Sequence, residues 1–206
     1  LSNCTTKTSV LFKRIDKTSE NINFDLIFDG KKNTSFRPKI VKFFSVIQEY
    51  CPYLMDYHLL ISSSNSFPHS SGIASSASSM SALSLCIMSM EKKLSLIDDD
   101  YFFKKASFIS RIGSGSASRS VYGGVNLWGK HKELNNSSDL YSVKLSKNIS
   151  PKFNNYRDII LIIDDKEKEV SSSVGHGLMN NNPFSKVRFN AANNNITKLL
   201  QILESG

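Results

Sequence analysis

Asn65-Ser66-Phe67-Pro68-His69-Ser70-Ser71-Gly72-Ile73-Ala74-Ser75-Ser76-Ala77 is the stretch on which the fold turns. Before it, Tyr57 to Ser62 reads as a buried strand, and after it Met80, Leu83, Ile87 and Met90 recur at helical spacing. A Ser/Gly loop from Ser63 to Gly72 joins the two. Strand, loop of tiny side chains and helix start is an order suited to phosphate. The first N–H groups of a helix lack an intrahelical acceptor, the dipole is positive there, and small residues let the backbone close on an anion. The hydroxyls of Ser75 and Ser76 would add contacts to phosphate or metal. The same residues also suit a plain helix cap, so the local reading leaves both open. The orders G-x-x-x-x-G-K-[ST] and G-x-G-x-x-G are absent, which sets aside P-loop nucleotidases and Rossmann enzymes.

Upstream, Val10 to Phe12 and Ile22 to Phe28 read as strands, the second ending at the tight-turn pair Asp29-Gly30. After Pro38, Ile40, Phe43, Phe44 and Ile47 mark an amphipathic helix lasting to about Glu49, closed by Cys51-Pro52. Downstream, a helix over Tyr101 to Ile112 runs into Arg111-Ile112-Gly113-Ser114-Gly115-Ser116-Ala117-Ser118-Arg119-Ser120, and Gly123-Gly124 leads to a strand through Val125 and Leu127 to Trp128. This second Gly/Ser loop combines hydroxyls, exposed N–H groups and a guanidinium, which binds carboxylate or phosphate through two parallel hydrogen bonds. A surface arginine beside a glycine turn is the plainer reading of the same residues.

Residues 130 to 155 are polar and read as loop, and Asp158 to Ile163 has the apolar character of a central strand. The last helix is expected to start with Asn182 as cap and Pro183 in its first position, and to end at Ser205-Gly206. No internal repeat of 20 to 50 residues is visible.

The composition narrows the function classes. The chain has 206 residues, 40% of them hydrophobic and 21% charged, with 26 Lys and Arg against 18 Asp and Glu for a net charge of +8. This is a chain able to build a core, and a disordered acidic tail or a membrane bundle is excluded. The lysines are scattered, so charge alone does not define a nucleic-acid surface. The cysteines, Cys4, Cys51 and Cys86, are odd in number and widely spaced, as expected in a reducing compartment, and the start shows no secretory pattern. A cytoplasmic setting is expected. His58, His69 and His131 lack metal-ligand spacing, and no zinc site is expected.

The string from Pro68 to Ala77 is similar to the P-x-x-x-G-[LI]-[AGS]-S-S-[AG] signature of the GHMP kinase superfamily. With Asn65 to Pro68 it resembles N-N-F-P-x-x-x-G-[LI]-A-S-S-A of the mevalonate diphosphate decarboxylase family, Ser66 replacing the second Asn. Residues 113 to 120 resemble that family's own G-S-G-S-A-[CS]-R-S followed by a Gly pair, which its sister kinases do not generally share. Ser171-Ser172-Ser173-Val174-Gly175-His176 stands where the family has S-[TR]-x-G-M, with His176 in place of Met.

The resemblance implies an α+β GHMP kinase fold. Residues 1–150 would form most of a ribosomal-protein-like nucleotide-binding domain, and residues 151–206 would begin a ferredoxin-like domain. It implies ATP phosphates on Ser70, Ser71, Gly72, Ile73, Ala74, Ser75, Ser76 and Ala77, with Mg2+ at Ser76. It implies mevalonate 5-diphosphate on Ser114, Gly115, Ser116, Ala117, Ser118, Arg119, Ser172 and Ser173, with Arg119 on the carboxylate and Arg119 and Ser116 as catalytic residues. The reaction implied is ATP-dependent decarboxylation to isopentenyl diphosphate, ADP, phosphate and CO2, by a homodimer with no nucleic-acid or membrane partner. The family's K-Y-W-G-K motif would precede Leu1 and its catalytic Asp, in D-x-G-x-N, would follow Gly206. The chain by itself is therefore expected to bind ATP weakly and turn over little. Asp98-Asp99-Asp100 reads as a helix cap and Asp164-Asp165 as a strand end. A sister small-molecule kinase, a decarboxylase of a mevalonate monophosphate or bisphosphate, and an RNA-binding module stand as alternatives.

Overall fold

Alternation of apolar and polar residues along the second strand sets the inner face of a sheet. The computed structural model describes residues 3–32, 34–68, 73–145, 149–161 and 172–206, with the backbone alone at 172, 173 and 176. Strands β1 (Thr6–Arg14), β2 (Asn23–Phe28), β3 (Lys31–Lys32) and β4 (Tyr57–Asn65) form one sheet in the order β1-β4-β2-β3. β1 runs antiparallel to β4 in a register from Thr6 opposite Asn65 to Arg14 opposite Tyr57. It is longer than the apolar core Val10 to Phe12 suggested, because backbone pairing with β4 recruits the polar residues Thr6 to Ser9 as well. β2 and β3 are joined at Asp29 and Gly30, whose φ angles of 49° and 77° are those of a two-residue hairpin turn with both central residues left-handed.

β2 and β4 are parallel, and the crossover between them is α1 (Arg37–Ile47). Its buried stripe, Ile40, Phe43, Phe44 and Ile47, is the one read from spacing, and Phe44 meets Phe24 of β2 with ring centroids 5.1 Å apart. α2 (Ser75–Leu94) packs both on β1 and on α3 (Asp99–Gly113). A helix covered on two sides needs short side chains among its apolar ones, and Ala77, Ser81 and Ser84 are buried beside Met80, Leu83, Ile87 and Met88. Asp98 caps α3 by accepting from the Tyr101 N–H at 2.7 Å. Glu91 and Lys105 join α2 to α3 by a partly buried pair in which both carboxylate oxygens lie 2.8 Å from Nζ. Burial works most strongly to lower the Lys105 pKa, but the Glu91 hydrogen bond, the Tyr101 hydrogen bond and the charges of Cys51 and Glu91 together outweigh it and the net shift is upward.

A second, antiparallel sheet joins β5 (Asn126–Trp128) to β6 (Ser142–Lys144). The polar stretch read as loop thus contains a strand. Ser142 and Val143 are buried not by an apolar pattern but because Ser142 hydrogen-bonds α3. From Asp158 to Leu161 the chain is in no strand and exposes Ile159 and Leu161, since no strand lies beside them among the described residues; residues 162 and 163 of that expected strand, and Asp164-Asp165, lie outside the described residues.

α4 spans Ser172–Gly177 and α5 spans Ser185–Ser205. Asn182 does not cap α5 directly. Its Oδ1 accepts from the Phe184 N–H at 2.9 Å, so the side chain closes a turn over Pro183 and the helix starts two residues later than expected. α5 is tied back to earlier segments, with the His131 ring 3.2 Å from Thr197 Oγ1 and the Ser150 N–H donating to Leu203 O at 2.7 Å. Among the described residues no helix is long and apolar enough to cross a membrane.

Candidate active site

The first loop leaves the sheet at Asn65, whose Oδ1 accepts from Thr6 Oγ1 at 2.7 Å. Ser66, the departure from the expected Asn, clamps the strand end to the start of β1. Its Oγ donates to Asn3 O at 2.7 Å and accepts the Thr5 N–H at 2.9 Å. Ser70, Ser71 and Gly72 lie outside the described residues. The chain re-enters at Ile73, half-buried, and Ala74, which caps α2 in the left-handed region (φ 60°, ψ 36°) with no side-chain hydrogen bond to the helix. The Ala74 carbonyl accepts from the N–H groups of Ala77 and Ser78. The N–H groups of Ser75 and Ser76 precede any intrahelical acceptor and are left for an anion.

The side chains of Ser75 and Ala77 are buried, so those residues offer backbone alone, whereas Ser76 is exposed and its Oγ accepts from Lys39 Nζ at 2.9 Å. Lys39 comes from the first turn of α1. The residue as a whole is exposed, but burial about its ammonium end lowers its pKa from the usual 10.5. In the sequence Lys39 is one of many scattered lysines. Its one local signal is its position next to buried Ile40, at the margin of the α1 stripe. Lys39, Ser76 and Ser79 edge an apolar cleft of about 70 Å³ between the sheet, α1 and α2.

The second loop continues from α3. A Cβ on Gly113 would lie 2.5 Å from Met80 Sδ, so the end of α3 is pressed against the second turn of α2, and the two loops start from neighbouring points of one core. Ser114 is extended, and Gly115–Val121 form a short 3-10 turn anchored by buried Ala117, Ser118 and Val121. Ser118 is fully buried. Its Oγ donates to Gly115 O at 3.0 Å, and its carbonyl accepts from Ser107 Oγ (2.8 Å) and Ser142 Oγ (2.6 Å). Ser118 and Ala117 therefore face the core, and a ligand would meet them only through the backbone. Ser114, Gly115 and Ser116 are half-buried and Arg119 is exposed, its guanidinium 5.8 Å from the centre of the Trp128 ring. Among the described residues no carboxylate pairs with Arg119. Ser172 and Ser173 belong to α4, and their side chains, like that of His176, lie outside the described residues.

The arrangement offers an uncapped helix start with a cation and a hydroxyl beside it, and, on an adjacent turn, a guanidinium that no carboxylate pairs among the described residues. Such a pair of loops suits an anionic substrate held next to a polyphosphate. Among the described residues no three His, Cys, Asp or Glu side chains converge as a metal site. The Ser76 hydroxyl still fits Mg2+, which takes one or two protein oxygens and completes its shell with substrate phosphates and water.

The family model for the diphosphomevalonate decarboxylase-like N-terminal domain matches residues 1–140. The diphosphomevalonate decarboxylase of Ganoderma lucidum is 35% identical over 126 residues, which is 60% of this chain and 29% of that protein. The matched stretch thus covers less than a third of the length of these curated relatives. The solved mevalonate diphosphate decarboxylase of Legionella pneumophila superposes with a TM-score of 0.64 at 28% identity, over 96% of this chain and 58% of that one. A structure solved in complex with MVAPP, AMPPCP and magnesium superposes with a TM-score of 0.68 at 23% identity, over 97% of this chain and 56% of that one, a likeness of fold.

Proposed function

Because the chain belongs to the diphosphomevalonate decarboxylase-like N-terminal domain family, we propose that it takes part in the ATP-dependent decarboxylation of mevalonate 5-diphosphate. The products would be isopentenyl diphosphate, ADP, phosphate and CO2. The observation that carries this reading is Arg119, exposed and unpaired with any carboxylate among the described residues, on a turn packed beside the helix whose start is uncapped.

In this reading the N–H groups of Ser75 and Ser76 and the ammonium of Lys39 bind ATP phosphates, with residues 70–74 completing the loop. Ser76 would hold Mg2+ with the phosphates, and the ion would supply neutralisation of charge on the transferring phosphoryl group. Arg119 holds the substrate carboxylate, fixing it in place for loss of CO2 once the tertiary hydroxyl has been phosphorylated. Ser116, half-buried on the same turn, would face the substrate with Ser114 and Gly115. Ser172 and Ser173 would meet its diphosphate. Homodimerisation, a cytoplasmic setting and the domain change near residue 150 belong to the same proposal.

The test measures ADP and CO2 release from ATP and mevalonate 5-diphosphate by the protein in its full reading frame, beside Arg119→Ala. Equal release of both products, lost in the variant, supports the reading. ADP without CO2 would point instead to a small-molecule kinase, and neither product would refute the activity.

A further inference from the structure

We propose that Trp128 is the positioning residue of Arg119, holding its guanidinium by the ring face so that its hydrogen-bond donors stay available to an anion; this rests on Arg119 being the carboxylate ligand. Trp128 is the single tryptophan of the chain. It ends β5, opposite Ser142 of β6, and its Nε1–H donates to Asp139 O at 2.9 Å. Asp139 is itself held, its Oδ1 accepting the Lys130 N–H at 2.8 Å. The indole is thus a fixed plate rather than a mobile surface ring.

That plate meets the 3-10 turn at both ends. At the start, a Cβ on Gly115 would lie 3.0 Å from Trp128 Cη2 and 3.5 Å from Cζ3, so glycine is what lets the turn lie on the ring. At the other end, Arg119 Cζ stands 5.8 Å from the ring centre. The backbone at Arg119 is pinned separately, its carbonyl accepting from Asn126 Nδ2 at 3.1 Å. One residue is therefore held at two points, main chain by Asn126 and guanidinium by Trp128. The attraction between a cation and a ring face uses charge and not N–H groups, so the fork that grips a carboxylate is oriented without being consumed. A carboxylate partner would orient Arg119 equally well but would compete with the ligand.

Two arms test this, the first on the 206-residue chain and the second on the protein in its full reading frame. The first needs no ligand. With excitation beyond the tyrosine absorption band, emission comes from Trp128, and a unit charge 5.8 Å away, screened by 0.1 M salt, raises the local concentration of a monovalent anion about two-fold. Iodide quenching should therefore fall by about half in Arg119→Met, while quenching by neutral acrylamide does not fall. Equal iodide quenching in both proteins overturns the proposal.

The second arm is calorimetric titration with mevalonate 5-diphosphate and with isopentenyl diphosphate, which has no carboxylate. Trp128→Leu, which removes the π face, should weaken mevalonate 5-diphosphate about two- to five-fold and leave isopentenyl diphosphate unchanged. Trp128→Phe, which keeps a face, should stay closer to the parent. Equal weakening for both ligands would mean that Trp128 only supports the turn and would overturn the positioning role. If the protein in its full reading frame binds neither ligand, the decarboxylase reading fails, while the quenching arm still decides whether Trp128 holds Arg119.

Discussion

Replacing Ser107 with alanine tests what holds the second loop against the core. Ser107 is fully buried in α3, its Oγ donating to Ser118 O at 2.8 Å and accepting the Ser142 N–H at 2.9 Å. One hydroxyl thereby joins a helix, the 3-10 turn that carries Arg119, and β6. In Ser107→Ala the Ser118 carbonyl keeps Ser142 Oγ, but the buried Ser142 N–H loses its partner. A net hydrogen bond is worth about 1 kcal/mol and an orphaned buried donor costs about 1–3 kcal/mol, so the expected loss is about 3 kcal/mol. For a chain of this size that lowers the melting temperature by roughly 6–12 °C. Ser110→Ala is the control. Ser110 is equally buried one turn further along α3, yet its Oγ donates only to the Ser107 carbonyl at 2.9 Å, and its removal strands no donor. It should cost below about 1 kcal/mol. Thermal melts followed by far-ultraviolet circular dichroism and by Trp128 emission distinguish the two. Equal losses in the two variants, or a Ser107→Ala melt within a degree or two of the parent, would refute the account.

Lys39→Met should weaken AMPPCP binding by roughly tenfold or more, the value of a charge-assisted hydrogen bond. Burial lowers the Lys39 pKa from 10.5, so its proton leaves at lower pH than that of a free lysine, and AMPPCP affinity of the parent should fall as pH rises toward that value while the variant's stays flat. Calorimetry across the alkaline range checks this, and a parallel slope in both proteins would contradict it. Ser76→Ala, at an exposed position, should leave the melting temperature unchanged and reduce the gain in AMPPCP affinity that Mg2+ confers; an unaltered Mg2+ effect would remove Ser76 from the site. Glu91→Gln should cost roughly 1–3 kcal/mol in urea unfolding at neutral pH, since it leaves the partly buried Lys105 ammonium without its carboxylate. The folded-state pKa of Lys105 is raised, so the pair's contribution is fully present below the unfolded pKa near 10.5 and is lost as pH rises through the higher folded value. The parent and Glu91→Gln should therefore converge at strongly alkaline pH.

The sequence by itself determined those features that are written within a few residues. The α1 stripe Ile40, Phe43, Phe44 and Ile47, the Asp29-Gly30 hairpin, the Asp98 cap and the succession of a strand over Tyr57–Asn65 and a helix over Ser75–Leu94 each follow from local periodicity or turn chemistry, and so they were legible. The motif strings around residues 65–77 and 113–120 were legible for the same reason, and they carried the resemblance to the family. Only the tertiary structure decided which distant side chains meet. Lys39 reaches Ser76 across 37 positions, Ser107 meets Ser142 across 35, and Trp128 lies under Arg119 after a reversal of the chain. Pattern also failed where burial and pairing outweigh propensity. Polar Ser142 becomes a buried strand residue because α3 supplies its hydrogen bond, while apolar Ile159 and Leu161 stay exposed because no strand pairs with them among the described residues. Periodicity records which face a residue presents, but a partner is chosen by the fold as a whole, and the orientation of Arg119 and the charge beside Ser76 are properties of those partners.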